Sequence, residues 1–327
     1  MRTWRLGWLL IVISAGSDAA SIDPALPRYE PHAVEVPSGA SYVVPDGSVA
    51  VVGYNDMREL MQGWVARFVA SHREIRFALD LRGTRFAPAA LAAGTSALAP
   101  MGAEFTPLQL ADYRATANAD PIAFRVAHAS LDPRALSGPL AIFVHRDNPI
   151  ASLTLEQVSR AFSGEATRWG DLGQEGEWAI RPIHTYGVER GTPLALSLEA
   201  NAMKGRAFGK QMTGYPQSAD VVQRVASDRY ALGFAAAIRA TSDVRVVPIA
   251  PRAGTEAIAP TPESITAGRY PLDRFLLIYA PRPLTAFVRE FMRLVLSREG
   301  QEIVAASPQG YLPLSVSEVA AERAKLE

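Results

Sequence analysis

The sequence of 327 residues contains no cysteine, and this absence excludes several kinds of site at once. The chain has no disulfide framework, no thiolate metal ligand and no cysteine nucleophile. It also has no cysteine that could carry a lipid anchor after processing of the N-terminus. The folded protein must therefore rely on its hydrophobic core, and a chain of this length can bury a large one.

The sequence also lacks an excess of charge, because 33 Lys and Arg residues balance 33 Asp and Glu residues. A chain without a basic excess gains little from displacing the counterions of a nucleic acid, so we expect no nucleic-acid partner. Its 48% hydrophobic and 20% charged residues are typical of an ordinary globular protein and not of a disordered one. Its length exceeds the usual size of a single core and predicts two domains or lobes.

Common motifs of catalysis and nucleotide binding are missing as well. The sequence has no Walker loop, no Gly-x-Gly-x-x-Gly and no His-Glu-x-x-His spacing. Ser96 lies in Gly-Thr-Ser-Ala-Leu, which lacks the second glycine of a nucleophile elbow. His128, His145 and His184 occur singly on predicted strands, which favours structural histidines over metal ligands. We therefore expect no enzyme, no metal site and no cofactor.

The first 19 residues have the features of a secretory signal peptide. Arg2 and Arg5 form a basic start, and the apolar run of residues 6–13 is too short to span a bilayer. Small residues follow, with Ser17-Asp18-Ala19 as the predicted cleavage site; an uncleaved membrane anchor is the alternative. This pattern, without a lipidation cysteine, predicts export to the bacterial periplasm as a protein that is not a lipoprotein.

The rest of the chain shows a leader followed by alternating strand and helix patterns. Residues 20–47 are rich in proline and small polar residues and predict a leader segment that lies across the surface. The alternation beyond it predicts an α/β fold with largely parallel sheets. Predicted strands cover residues 48–53, 75–81, 97–100, 122–127, 140–145, 180–186, 231–235, 244–249 and 275–280. Predicted helices cover residues 57–70, 88–93, 107–115, 194–202, 220–226, 284–296 and 301–306, and a further one begins at Thr154, where Gln157 completes a capping box.

The sequence Gly-Val-Glu-Arg-Gly-Thr-Pro, at residues 187–193, lies between a predicted strand and a predicted helix. Thr192 is suited to an N-cap, and Pro193 to the first helical position. Such a helix start presents free backbone N–H groups and a partial positive charge to an anion. Arg190 adds a full positive charge, so Arg190, Gly191 and Thr192 are candidate anion ligands.

Two further glycine-containing turns upstream have a similar form. In the first, Asn55 or Asp56 is a candidate N-cap, and the backbone N–H groups of Asp56 and Met57 are candidate anion ligands. In the second, Thr84 supplies a hydroxyl group and Arg85 a guanidinium group suited to a tetrahedral oxyanion. Simple capping at the first turn and a solvated arginine at the second are the alternatives. We expect the three turns to meet in a cleft between two lobes.

Longer sequence patterns identify a family that the chain resembles. They include Ala-Gly-Thr-Ser-Ala-Leu-Ala-Pro-Met (residues 93–101), Ala-Ile-Phe-Val-His-Arg-Asp-Asn-Pro (141–149), Arg-Trp-Gly-Asp-Leu (168–172) and Gly-Tyr-Leu-Pro-Leu (310–314). With these patterns, which run through most of the mature chain, the sequence resembles the periplasmic phosphate-binding proteins of ABC phosphate importers. That family belongs to the class II solute-binding proteins.

The resemblance implies a two-lobed periplasmic-binding-protein fold of class II, with mixed sheets flanked by helices. Lobe I would comprise residues 48–138 and 273–327, and lobe II residues 139–272. The implied function is capture of phosphate or a related oxyanion between the lobes, without catalysis. The implied partner is an ABC permease in the inner membrane, and the implied state is a monomer.

The predicted ligand loops depart from the pattern of the family. Its third loop reads Arg-x-Asp-Gly-Ser-Gly-Thr, whereas this chain has Tyr186, Val188 and Arg190 in place of the arginine, the aspartate and the serine. One interpretation is a rebuilt site in which Arg85 and Arg190 supply the positive charge and Asp56 accepts the proton of the phosphate. The alternative is a degenerate sensing or interaction module with altered or lost anion binding.

Overall fold

The computed structural model describes residues 22–327, so the predicted signal peptide lies outside the described residues. The strands are β1 (Val49–Val52), β2 (Phe77–Asp80), β3 (Ala99–Met101), β4 (Ile122–His128), β5 (Leu140–His145), β6 (Leu153–Thr154), β7 (His184–Val188), β8 (Thr213–Tyr215), β9 (Ala231–Ala236), β10 (Val244–Val246), β11 (Ile249–Ala250) and β12 (Phe275–Ala280). The α-helices are α1 (Arg58–Val69), α2 (Ala87–Ala92), α3 (Pro107–Ala117), α4 (Leu155–Ser163), α5 (Pro193–Leu198), α6 (Ser218–Ala226), α7 (Pro262–Thr266), α8 (Ala286–Val295), α9 (Arg298–Ala305) and α10 (Val316–Arg323). None of the helices within residues 22–327 has the length and apolar character to cross a membrane.

Lobe I is built on β3, β12 and β4, which form an antiparallel sheet in that order. The parallel pair of β1 and β2 extends this layer, because the N–H of Ala97, just before β3, donates to the carbonyl of Ala50 at 3.0 Å. Helix α1 presents Leu60, Trp64 and Phe68 to the core at helical spacing. The indole N–H of Trp64 donates to the carbonyl of Gly300 at 2.9 Å and so ties α1 to α9.

Lobe II contains a five-stranded mixed sheet in the order β10, β5, β9, β7 and β8. Its core includes the fully buried Phe162, Trp169 and Phe234. The glycine at position 187 is required by close packing, because a Cβ there would lie 2.0 Å from the ring of Phe234. The predicted capping box of Thr154 and Gln157 is confirmed at the start of α4.

Two crossing segments, residues 129–139 and 270–274, connect the lobes and lie side by side. The N–H of Ala129 donates to the carbonyl of Arg274 at 2.8 Å, and the N–H of Leu140 donates to the carbonyl of Leu272 at 3.1 Å. The Tyr270 hydroxyl group donates to the Leu140 carbonyl at 2.8 Å. Paired connections of this kind permit a hinge motion of one lobe relative to the other.

The leader lies across lobe I. Leu26, Tyr29 and Tyr42 are buried in the core of lobe I, and the N–H of Tyr29 donates to a carboxylate oxygen of Glu299 at 2.7 Å. The described chain has three hydrophobic clusters. One contains buried residues from 140–272 together with Leu312, and the other two are formed by residues outside that range. The exact division into lobe I (residues 48–138 and 273–327) and lobe II (139–272) stays a prediction.

The prediction of largely parallel sheets is wrong. Strand β12 runs antiparallel to both of its neighbours, and β5 runs antiparallel to β9 and β10. In lobe I the cause is the second crossing segment, because it brings the chain back from lobe II into the middle of the sheet, between β3 and β4. The predicted strand at residues 244–249 is divided into β10 and β11, and Pro248 between them has no N–H to donate.

Candidate functional site

A cleft of about 720 Å³ lies between the lobes and is bordered by the crossing segments. Both lobes contribute to its walls, which are lined by Tyr54, Thr84, Gly102, Ala103, Leu136, Ser137, Val188, Thr192, Pro193, Leu194, Pro216, Gln217, Ser218, Ala219, Asp220, Ala236, Arg239 and Arg274. Within this lining two arginines face one aspartate, which gives the cleft a net charge of one positive unit. The cleft therefore favours an anion.

Arg274 lies at the junction of the second crossing segment and β12. The residue is 7% exposed, and its guanidinium group donates to the carbonyl of Gly102 at 3.2 Å and to that of Gly138 at 3.5 Å. Its Nε has no hydrogen-bond partner. Burial lowers the pKa of Arg274, but a guanidinium group keeps its proton at neutral pH in proteins. Arg274 is thus a buried positive charge beside the cleft.

Arg239 approaches the same cleft from lobe II. Its guanidinium group donates to the carbonyl of Pro133 at 3.1 Å and to that of Ala135 at 3.5 Å, both in the first crossing segment. Like Arg274, it bonds to neutral carbonyl groups. The positive charges of both arginines therefore remain available to a ligand.

The lobe I wall of the cleft carries a buried tyrosine. The hydroxyl group of Tyr54 lies 3.0 Å from that of Ser137. Burial raises the pKa of Tyr54 to about 12, so the phenol stays neutral at physiological pH. A neutral phenol and a serine hydroxyl group are hydrogen-bonding groups that an anion can use.

The third predicted turn has the predicted helix start. Thr192 is the N-cap of α5, where its hydroxyl oxygen accepts from the Ala195 N–H at 3.5 Å and the hydroxyl group donates to the Glu189 carbonyl at 2.6 Å. Pro193 occupies the first helical position, as predicted. Thr192 lines the cleft. In contrast, Arg190 is exposed and donates to the carbonyl of Gly209 at 2.8 Å, and neither Arg190 nor Gly191 belongs to the cleft lining.

The first predicted turn differs from the expectation. Neither Asn55 nor Asp56 caps a helix through its side chain, because both lie within a 3₁₀ turn. The Asp56 carboxylate instead accepts from the Leu136 N–H at 2.8 Å and from the Tyr311 hydroxyl group. The N–H of Met57 donates to the carbonyl of Tyr54 at 3.2 Å, and the Met57 side chain is buried. These residues hold the loop against the first crossing segment.

The two candidate ligands of the second predicted turn lie in different places. Thr84 lines the cleft, whereas Arg85 is exposed and its guanidinium carbon lies 4.6 Å from the centre of the Phe86 ring. Of the eight candidate ligands predicted from the sequence, Thr84 and Thr192 are thus the two brought to the cleft lining. Contact of each candidate with a ligand stays a prediction.

A second buried cation lies behind the cleft, at His128. Its ring nitrogens lie 2.6 Å from a carboxylate oxygen of Asp273 and 3.1 Å from one of Glu318. Burial alone would lower the pKa of His128, but the hydrogen bonds to these two carboxylates outweigh it and raise the pKa to about 9. His128 is therefore protonated at neutral pH and joins β4, the second crossing segment and α10. The prediction of a structural histidine fits this environment.

Sequence reasoning missed Arg274, Arg239 and the first turn of α6. The amino end of α6 contributes Gln217, Ser218 and Ala219 to the cleft. A weak signal was present at Arg274, since a charged pair, Asp273-Arg274, directly precedes a continuous apolar strand. Nothing in the sequence showed which of the two charges would be neutralised inside the protein.

Comparison with known proteins gives a consistent result. A family model described as a PBP superfamily domain matches residues 44–299. The phosphate-binding protein PstS of Pseudomonas aeruginosa is 32% identical over 330 residues, and the match covers 96% of each chain.

Solved structures with a similar fold include two proteins that are described as phosphate transport components. The ABC-type phosphate transport receptor of Vibrio cholerae matches 81% of this chain and 99% of its own, with a TM-score of 0.55 and 18% identity. A substrate-binding protein of a putative phosphate ABC transporter from Clostridium perfringens, solved with bound phosphate, matches 82% of this chain and 100% of its own. Its TM-score is 0.52 and its identity is 18%. At this identity the likeness shows the fold, and it confirms the predicted two-lobed α/β architecture.

Proposed function

The chain belongs to the PBP superfamily and to its family of PstS phosphate-binding proteins, and we propose that it captures phosphate between its lobes for delivery to an ABC importer. The observation that carries the proposal is the 32% identity to a phosphate-binding protein over 96% of both chains. A match of that extent covers both lobes and the crossing segments, so it concerns the whole binding architecture and not a single domain.

The geometry of the cleft supports this function. The cleft carries a net positive charge, helix starts and hydroxyl groups, and these are the groups that bind oxyanions. Its volume of about 720 Å³ is much larger than a phosphate ion. Capture therefore requires the lobes to close, and phosphate must bind the closed state more tightly than the open one.

The candidate residues take different parts in this proposal. Thr84 donates its hydroxyl group to the ion once the lobes close. Thr192, whose hydroxyl proton is held by the Glu189 carbonyl, keeps the start of α5 at the cleft, and Gly191 gives the chain its turn into Thr192. Asn55, Asp56 and Met57 hold the first loop in place. Arg85 and Arg190 act by long-range attraction at the outer surface, where they raise the rate of encounter with anions.

The remaining aspects of the proposal follow from the family. The protein works in the periplasm after export through its N-terminal signal peptide, and it binds its ligand without transforming it. It acts as a monomer, has no nucleic-acid partner and docks on an inner-membrane permease when closed. The fold supports docking in the closed state, because the ligand would lie between two movable lobes. A partner that binds the closed form would then select the ligand-bound protein.

Isothermal titration calorimetry with phosphate, arsenate and sulfate tests the proposal. We expect heat and a thermal shift with phosphate and arsenate. At a phosphate concentration of 100 times Kd, binding should stabilise the folded state by about 2.7 kcal/mol. No heat and no thermal shift at millimolar phosphate would exclude the transport function. The chain would then be a sensing or interaction module, to be identified by affinity purification of its envelope partners.

A further inference from the structure

The guanidinium group of Arg274 is buried without a direct ion pair in the described chain, and carboxylates such as Glu104 attract it only from a longer distance. The ion pairs found within residues 22–327 place Asp273, the preceding residue, on His128 and include none with Arg274. A charge removed from water without a counterion costs several kcal/mol, and bonds to carbonyl groups recover part of that cost. An anion in the cleft would offset the remainder.

The cleft that Arg274 lines is also lined by the amino end of α6, a helix of nine residues whose first turn includes Asp220. Its N-cap residue, Gln217, makes no side-chain capping bond, and the first intrahelical bond runs from the Val221 N–H to the Gln217 carbonyl at 3.3 Å. Among the hydrogen bonds of the described chain, none uses the N–H of Ser218 or Ala219. Both residues line the cleft. These N–H groups are therefore free to bind an anion.

We propose that Arg274 and the N–H groups of Ser218 and Ala219 form a two-sided anion site, with a tetrahedral oxyanion such as phosphate between them. The inference rests on the proposed function and names the groups that carry it out in this chain. Arg274 belongs to the crossing segment and lobe I, whereas α6 belongs to lobe II. An ion bound to both therefore draws the lobes together, and this couples binding to closure.

The positive charge of the site thus comes from the crossing segment and not from the glycine-rich loop at residues 187–193. Tyr186, at the start of that loop, donates its hydroxyl group to Asp228 at 2.7 Å and packs under the guanidinium group of Arg224 at 5.2 Å. The Arg190 guanidinium group bonds to the carbonyl of Gly209. The loop supplies a helix start, and Arg274 supplies the charge.

The first test compares phosphate binding by the wild type, Arg274→Met, Arg274→Lys and Arg146→Gln with calorimetry. Arg146 is an exposed arginine at the far end of β5, about 20 Å along the strand from the crossing segments. We expect Arg274→Met to weaken phosphate binding at least about 100-fold, since a charge-assisted, bidentate contact is lost. Arg274→Lys should weaken it about tenfold, because the charge remains and the planar fork is lost. Arg146→Gln should stay within about twofold of the wild type.

A second pair of variants tests whether the backbone N–H groups of α6 bind phosphate, independently of any effect on folding. Ser218→Pro removes the N–H at the first helical position, where proline is tolerated. Ser218→Ala is the matched control, because both variants lose the hydroxyl oxygen that accepts from the Ala236 N–H at 3.2 Å. We expect Ser218→Pro to bind phosphate about tenfold more weakly than Ser218→Ala, with similar thermal unfolding.

These experiments distinguish failure of the proposed function from failure of the anion site. A wild type that binds no phosphate contradicts the proposed function itself. A wild type that binds phosphate, together with an Arg274→Met variant that binds it equally well, overturns the anion site alone. Equal affinities of Ser218→Pro and Ser218→Ala also overturn the site as proposed, because the Ser218 N–H would then not bind the ion.

Discussion

Two buried cations, His128 at the end of β4 and Arg274 at the end of the second crossing segment, differ in what surrounds them. His128 is fully buried and bonds to two carboxylates, Asp273 at 2.6 Å and Glu318 at 3.1 Å. Arg274 is 7% exposed, borders the cleft and bonds to two neutral carbonyl groups. The first charge is in direct contact with its counterions, whereas the second makes no direct ion pair in the described chain.

This difference indicates what each cation does. A buried charge with its counterions joins the elements that supply them, so removal of His128 would leave two carboxylates without their cation. A buried charge without counterions is costly unless a ligand supplies the opposite charge, so Arg274 belongs to a binding site. The same kind of group is structural in one place and functional in the other because of its partners.

Among the variants that test this difference, we expect His128→Gln to have the largest effect on the free energy of unfolding. The change leaves the buried carboxylates of Asp273 and Glu318 without a cation, and removal of one partner from a buried ion pair costs about 3–5 kcal/mol. Urea unfolding should show a decrease of that size in the free energy of unfolding. Phosphate affinity, measured by calorimetry well below the unfolding transition, should stay near that of the wild type. A stability equal to that of the wild type would show that the contacts of His128 with Asp273 and Glu318 do not stabilise the fold.

The opposite pattern is expected for Arg274→Met. Without phosphate the free energy of unfolding should change by less than about 1 kcal/mol, because the lost bonds to Gly102 and Gly138 are offset by removal of an unpaired buried charge. The stabilisation by phosphate, about 2.7 kcal/mol for the wild type at 100 times its Kd, should fall to about 0.4 kcal/mol or less at the same phosphate concentration. Urea unfolding with and without phosphate measures both quantities. A variant that is strongly destabilised without ligand would make Arg274 a structural residue like His128.

The pH dependence of stability sharpens the comparison further. The pKa of His128 is raised to about 9 in the folded protein, above about 6.5 in the unfolded chain. Its stabilisation is therefore fully present below pH 6.5 and is lost as the pH rises towards 9. We expect the difference in unfolding free energy between the wild type and His128→Gln to shrink by up to about 1.4 kcal/mol per pH unit in this window. A difference independent of pH would contradict the protonated state of His128.

The smallest effects are expected for the exposed arginines of the predicted loops. Arg85→Gln and Arg190→Gln should each weaken phosphate binding by less than about threefold at low salt, because exposed charges act through solvent. At an ionic strength of about 1 M, where the Debye length is about 3 Å, even this effect should vanish. Calorimetry at low and high salt provides the measurement. A loss of phosphate affinity as large as that of Arg274→Met would show that Arg85 or Arg190 supplies the positive charge of the site.

Much of the fold could be predicted because local signals determine it. The apolar spacing of Leu60, Trp64 and Phe68 predicted α1, and Thr154 with Gln157 predicted the start of α4. Strands β5 and β12 lie at the predicted residues because each is a continuous apolar run. The mixed sheet could not be predicted in this way, because the insertion of β12 between β3 and β4 is a property of chain connectivity.

The candidate site was predicted in part for the same reason. Thr192 and Thr84 lie in turns that glycine and proline mark in the sequence, and both reach the cleft. The charge was assigned to Arg85 and Arg190 because they lie in those turns, but the structure places both outside the cleft lining. Whether an arginine is buried without a counterion depends on contacts between distant segments, as at Arg274, which bonds to Gly102 and Gly138. Such contacts have no local signature.

A crystal structure of the complex with arsenate tests the central claim most directly, because anomalous scattering from arsenic locates the ion independently of the protein phases. We predict one strong anomalous peak in the cleft, within hydrogen-bond distance of the Arg274 guanidinium group and of the Ser218 and Ala219 N–H groups, with the lobes closed around it. A peak on the outer side of the loop near Arg190, or an empty cleft at saturating arsenate, would contradict the account.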